Sequence, residues 1–124
     1  MQTPQQEKGK AGEEIAAELL EKKGYRIAER NWRANYGEID LIAWHGEKTV
    51  VFVEVKTRGS LAFGKPEEFI GRKKEEVMAR TAAAYCRRIN WEGAVRFDTV
   101  SILLRPDAQP KVEHFEDAFW PGWR

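Results

Sequence analysis

Residues 37–56 read Gly-Glu-Ile-Asp-Leu-Ile-Ala-Trp-His-Gly-Glu-Lys-Thr-Val-Val-Phe-Val-Glu-Val-Lys, and the fold follows from how this stretch is read. Residues 38–44 and 49–57 are rich in apolar and β-branched side chains and are separated by the polar turn His45-Gly46-Glu47-Lys48. That pattern predicts a hairpin whose second strand lies centrally in a sheet. Three ionisable residues interrupt it: Asp40 in the first arm, Glu54 and Lys56 in the second. Because side chains alternate along a strand, Glu54 and Lys56 share one face while Val51, Val53 and Val55 take the other. A turn centred near Glu47 sets Ile42 opposite Phe52 and Trp44 opposite Val50, and so Asp40 opposite Glu54.

Carboxylates at that separation repel unless a cation or a proton lies between them. A divalent metal resolves the conflict. Mg²⁺ takes hard oxygen ligands and keeps several waters, so one or two protein carboxylates plus a substrate phosphate suffice. Asp40 and Glu54 are the expected ligands, with the Val55 carbonyl as a further oxygen and Mn²⁺ as a substitute ion. Lys56, one pleat further along, would stand near the attacking water or the scissile phosphate. The competing account is a buried salt bridge in which Lys56 neutralises Glu54 or Asp40 for structural reasons alone.

Outward from the hairpin, residues 8–23 place Ala11, Ile15, Ala16, Leu19 and Leu20 at helical spacing, with Gly24 where a left-handed cap would close the helix. The first 7 residues are polar and expected to be flexible, leaving residues 8–124 as a single domain. A short strand is expected at 25–31, a turn at Asn35-Tyr36-Gly37 and an irregular loop at 58–68. A second helix should run from Phe69 or Arg72 to Arg88, with Val77, Thr81, Ala84, Tyr85 and Ile89 inward and Arg72, Lys73, Arg80, Arg87 and Arg88 outward. Strands at 96–104 and 111–115 complete a mixed sheet of about five strands flanked by helices, an α/β (α+β) fold.

The 124 residues suit one core. The net charge of +1 is uninformative, but residues 55–96 hold 10 basic and 5 acidic side chains, a local surface to which a polyanion would be drawn. Cys86 is the only cysteine, and with His45 and His114 the only histidines no zinc cluster can be built. A reducing cytoplasmic setting is expected, Cys86 reads as packing, and no membrane span or signal peptide is expected. The five tryptophans, Trp32, Trp44, Trp91, Trp120 and Trp123, read first as packing residues.

The stretches Gly37-Glu38-Ile39-Asp40-Leu41-Ile42-Ala43 and Val51-Phe52-Val53-Glu54-Val55-Lys56-Thr57-Arg58 closely resemble the YraN family of predicted endonucleases, which is itself similar to archaeal Holliday junction resolvases. The likeness extends to Gly9-Lys10-Ala11-Gly12-Glu13, Gly24-Tyr25, Asn31-Trp32-Arg33, Lys73, Arg96-Phe97-Asp98 and Ala118-Phe119. It implies the restriction-endonuclease-like PD-(D/E)XK fold and a Mg²⁺-dependent endonuclease acting on duplex or branched DNA, Holliday junctions included. RNA is not excluded, and a two-fold homodimer would suit a symmetric junction. By the same resemblance Asp40, Glu54 and Lys56 form the catalytic centre and Glu13 joins from the first helix, with Glu14 its nearest competitor. Glu38 is assigned a supporting position, paired with an arginine. Arg58, Lys65, Arg72 and Lys73 are candidate phosphate contacts, equally readable as solvated surface charge. The rival function is a nucleic-acid-binding module of the same fold that does not cleave by itself.

Overall fold

The computed structural model describes residues 3–34, 37–59 and 71–120. Its elements are α1 (Pro4–Lys22), β1 (Arg26–Ala34), β2 (Gly37–His45), β3 (Thr49–Arg58), α2 (Arg72–Arg88), β4 (Ala94–Arg105) and β5 (Ala108–Phe115). Asn35 and Tyr36 of the expected turn, most of the expected loop over 58–68 with Lys65 in it, and Trp123 lie outside the described residues.

The expected hairpin forms in the expected register: Ile42 faces Phe52 and Trp44 faces Val50 across β2 and β3. The five strands lie in chain order, with β3 and β4 parallel and every other neighbouring pair antiparallel. A parallel connection needs a long crossover, and α2 lies on that path. The central strand β3 is covered on both faces, as its apolar run requires. On one face Ala16, Ala17 and Leu20 of α1 pack on Leu41, Ala43, Val51, Val53, Val100 and Ile102. On the other, Met78, Ala82 and Tyr85 of α2 pack on Ile39, Ile42, Val50, Phe52 and Phe97. The result is the mixed α+β sheet with flanking helices that the pattern predicts.

Several boundaries and one helix face differ from the sequence reading, β4 and β5 starting earlier, at Ala94 and Ala108, than the expected 96 and 111. α1 begins at Pro4 rather than near residue 8, because Thr3 and Gln6 form a reciprocal capping box and Pro4 supplies a helical φ at the first turn. The segment 1–7 is therefore largely helical over its described residues. β1 runs on to Ala34, past the predicted end at 31. In α2 the inward stripe is Met78, Thr81, Ala82 and Tyr85, while Val77 and Ala84 are half-buried and Ile89 is exposed. Three of the tryptophans pack as expected: Trp44 meets Trp91 edge-on and Trp32 meets Tyr85 edge-on. Trp120 is exposed. Burial pushes the Cys86 thiol up, which disfavours the thiolate and agrees with a packing role.

α1 approaches the end of β3 closely at one point. A Cβ on Gly12 would fall 1.8 Å from Thr57 Oγ1 and 2.9 Å from Thr57 Cβ. The bare backbone at Gly12 is what allows the helix to lie so near β3. Gly12→Ala is expected to destabilise the protein by about 1–3 kcal/mol in urea unfolding through overpacking. Gly12→Ala/Thr57→Gly should recover more than the sum of the two single changes. Simple additivity in that cycle would show that the close approach does not limit the packing.

Candidate active site

The site is built where β2 parts from β3. Their last paired residues at this end are Leu41 and Val53, so the pairing stops one step short of Asp40 and Glu54. A change of phase in β2 accompanies the parting. Ile39 and Ile42 pack in the same core although strict alternation would separate them, and Leu41 packs in the other core. β1 changes phase opposite this point. Arg30 and Asn31 both bond acids of α1, Arg30 to Glu14 at 2.7 Å and Asn31 to Glu13 at 3.0 Å, whereas Trp32 packs on the α2 side. Asn31 has φ 49°, in the left-handed region that asparagine tolerates better than most side chains. Such irregularities re-aim side chains next to functional sites. Here Asp40 Oδ2 accepts a hydrogen bond of 2.8 Å from the Val55 N–H.

Asp40 thus departs from the simple face-to-face pair read from the register: its carboxylate turns onto the β3 backbone, yet it still feels Glu54. Burial, followed by the Glu54 charge, pushes its carboxyl up to about 8; Glu13 and Glu38 push the same way, and the Val55 hydrogen bond opposes them. Glu54 is buried, with its side chain 7% exposed, and forms an ion pair with Lys74 of α2. Lys56 follows two residues on, half-buried and in register with Ser101 of β4. Glu13 and not Glu14 contributes to the field at Asp40, while Glu14 is engaged by Arg30. Glu38 pairs with Arg33 at 2.5 Å, the arginine partner expected for it.

Of the expected phosphate contacts, Arg58 ends β3 half-buried, and Arg72 and Lys73 are exposed on the first turn of α2. Two surface depressions flank Glu13. One, of about 300 Å³, is lined by Lys8, Gly9, Glu13, Val55 and Thr57; the other, of about 420 Å³, includes Lys10, Asn31 and Arg33 in its wall. Lys8, Lys10 and Lys74 were not singled out from the sequence. Lys8 and Lys10 precede Glu13 on the same helix and Lys74 adjoins Lys73, but only the packing of α1 and α2 on the sheet brings them to the site.

Among the described residues no three Asp, Glu, His or Cys side chains converge as a metal cage. Asp40 and Glu54 with a backbone oxygen form a sparser oxygen set, which suits a hard cation that keeps most of its own water. Two observations favour that fit. The shift of Asp40 marks a place short of positive charge. Thr99 Oγ1, in register with Glu54, is buried and has no hydrogen-bond partner among the described residues, so an unused hydroxyl lies alongside.

A fully buried aspartate, Asp98, provides a contrast. Asp98 receives Arg96 at 2.8 and 2.9 Å and the Asp117 N–H at 2.9 Å, and His114 Nε2 lies 2.8 Å from it. Burial opposes its ionisation, but the bonds from His114, Arg96 and Asp117 together outweigh burial and hold it below the usual carboxylate range. Asp98 is satisfied by its own network and Asp40 is not.

The raised Asp40 value has a signed consequence. The folded protein keeps a proton up to about 8 that the unfolded chain loses near 3.8, so the stability associated with Asp40 is complete below 3.8 and is lost as pH rises through 8. In EDTA, Asp40→Asn should melt at a higher temperature than wild type at pH 8–9, with the difference shrinking towards pH 4. An Asn variant that is less stable at pH 9 would contradict this.

A family model described as "Uncharacterised protein family UPF0102" matches residues 12–102. A UPF0102 protein of Trichlorobacter lovleyi is 40% identical over 112 residues, covering 90% of this chain and 88% of its own. One from Rhodococcus opacus is 43% identical over 113 residues, covering 90% and 94%, and one from Cytophaga hutchinsonii is 48% identical over 96 residues, covering 77% and 84%. Asp40, Glu54, Lys56 and Glu13 all fall inside the matched span, as do the two strand motifs at 37–43 and 51–58. The chain belongs to the uncharacterised protein family UPF0102.

Proposed function

We propose that the protein is a divalent-metal-dependent nuclease that hydrolyses phosphodiester bonds in DNA, and that it belongs with the PD-(D/E)XK enzymes. The observation that carries this reading is the pair of carboxylates, half-buried Asp40 and buried Glu54, brought together where β2 leaves β3, with the Asp40 carboxyl pushed up to about 8 by desolvation and by its neighbour's charge. A protein gains nothing in stability from such a pair alone, and strongly displaced carboxyls of this kind gather at functional sites. The likeness of the hairpin to the resolvase-type motif supports the same reading.

In this mechanism Asp40, Glu54 and the Val55 carbonyl would hold Mg²⁺ or Mn²⁺, which supplies charge neutralisation at the phosphate and a more acidic bound water. Lys56, two residues beyond Glu54, stabilises the negative charge that grows on the phosphoryl oxygens. Glu13, fixed by Asn31, accepts hydrogen bonds from water on the α1 side and helps to orient it. Attack of the water oxygen on phosphorus would form the new P–O bond and break the bond to the 3′ oxygen; the attacking water gives up a proton to solvent and the departing oxygen takes one from solvent, leaving a 5′-phosphate and a 3′-hydroxyl. Lys8 and Lys10 on the α1 side and Arg58, Arg72 and Lys73 on the other give the phosphate backbone cationic contacts on both flanks of the carboxylates. A branched substrate fits an assembly of two copies, each presenting one site to one strand.

The test is cleavage of labelled duplex, flap and four-way-junction DNA, with an RNA duplex alongside, in Mg²⁺ or Mn²⁺ and in EDTA. Wild type should cut at least one DNA in a metal-dependent manner, and Glu54→Gln and Lys56→Met should each lose at least about a hundredfold in rate while keeping the wild-type circular dichroism spectrum. A folded Glu54→Gln protein that cleaves at the wild-type rate would sink the proposal. Tight metal-independent binding with no cleavage of any substrate would favour the binding module.

A further inference from the structure

We infer that Lys74 is the resident counter-cation of Glu54, occupying that carboxylate in the metal-free protein and leaving it when a divalent cation binds. The inference rests on the metal-site reading above and adds to it a residue outside the Asp40/Glu54/Lys56 motif. Its basis is an asymmetric ion pair: the Glu54 side chain is 7% exposed, while that of Lys74 is 57% exposed and reaches in from solvent. A carboxylate this buried and next to a second one needs a partner of opposite charge, and the ammonium of Lys74 on α2 is the one in contact with it.

The two partners differ in what it costs to separate them. Glu54 is fixed in the central strand, with the sheet on both sides. Lys74 lies in the first turn of α2 on a flexible four-carbon stem, most of it already in water, so its ammonium can swing away without repacking the core. Lys74 and a metal ion would compete for the same oxygen and repel each other as like charges. Once displaced, the ammonium stays beside Arg72 and Lys73, where a phosphodiester would meet it. Lys74 is thus a positioning residue that holds and aims the Glu54 carboxylate before the metal arrives.

The test is a Mg²⁺ titration of the EDTA-stripped full chain, followed by thermal shift and repeated by calorimetry, for wild type, Lys74→Met, Lys74→Gln, Lys74→Arg and Glu54→Gln. Both neutral variants should lower the Mg²⁺ midpoint by at least about threefold, since the ion no longer displaces a partner. Lys74→Arg should keep the midpoint at or above that of wild type, and Glu54→Gln should abolish the saturable response. A saturable response that depends on Glu54 but has the same or a higher midpoint in Lys74→Met and Lys74→Gln overturns the role of Lys74 and leaves the metal site standing. A wild type without any saturable response overturns the metal site and this inference with it.

Discussion

The close approach of Asp40 and Glu54 inside the sheet is the constraint on which the rest of the site depends. Neither carboxylate is solvated enough to ignore the other, and the structure relieves the conflict piece by piece. β2 and β3 stop pairing at Leu41 and Val53, Asp40 turns onto the Val55 N–H, and Lys74 takes Glu54. The left-handed Asn31 lies across from the same point and holds Glu13. What is left over is carried by Asp40 as a retained proton. Each adjustment reduces the repulsion and none removes it.

The rest of the molecule is the rigid frame for that conflict. β3 is buried on both faces, and its parallel pairing with β4 runs its whole length, so Glu54 and Lys56 are fixed by the backbone rather than by flexible loops. The Asp98 network shows what the same fold does with a buried acid whose role is structural. Arg96, His114 and the Asp117 amide surround it, and its ionised form is favoured. Half-buried Asp40 and fully buried Asp98 therefore shift in opposite directions on one sheet: Asp98 is surrounded by donors that outweigh its burial, whereas Asp40 accepts from the Val55 N–H and faces the Glu54 charge.

No helix among the described residues is long and apolar enough to cross a membrane. Lys8 and Lys10 of α1 and Arg72, Lys73 and Lys74 of α2 lie towards the N-terminal ends of the two helices, while Glu18, Glu21, Glu47 and Glu92 are exposed elsewhere on the surface. A net charge of +1 therefore leaves room for local groups of cationic side chains that the total does not reveal.

By itself the sequence determined the hairpin, its register, the order of the elements and the candidates Asp40, Glu54 and Lys56. Those rest on local periodicity: a period of two fixes which side chains share a face, and the turn at Gly46-Glu47 fixes the pairing. It also pointed to Glu13, through resemblance rather than spacing. Tertiary structure alone decided three things. The phase change at Asp40 and Asn31 arises because two neighbouring strands must bend together, which alternation along one strand cannot anticipate. Lys74 reaches Glu54 only because α2 packs across β3, so its partner is twenty residues away in the chain. The inward face of α2 runs through Met78, Ala82 and Tyr85 rather than Val77, Ala84 and Ile89, since the sheet beneath, not the helix's own sequence, selects which stripe is buried.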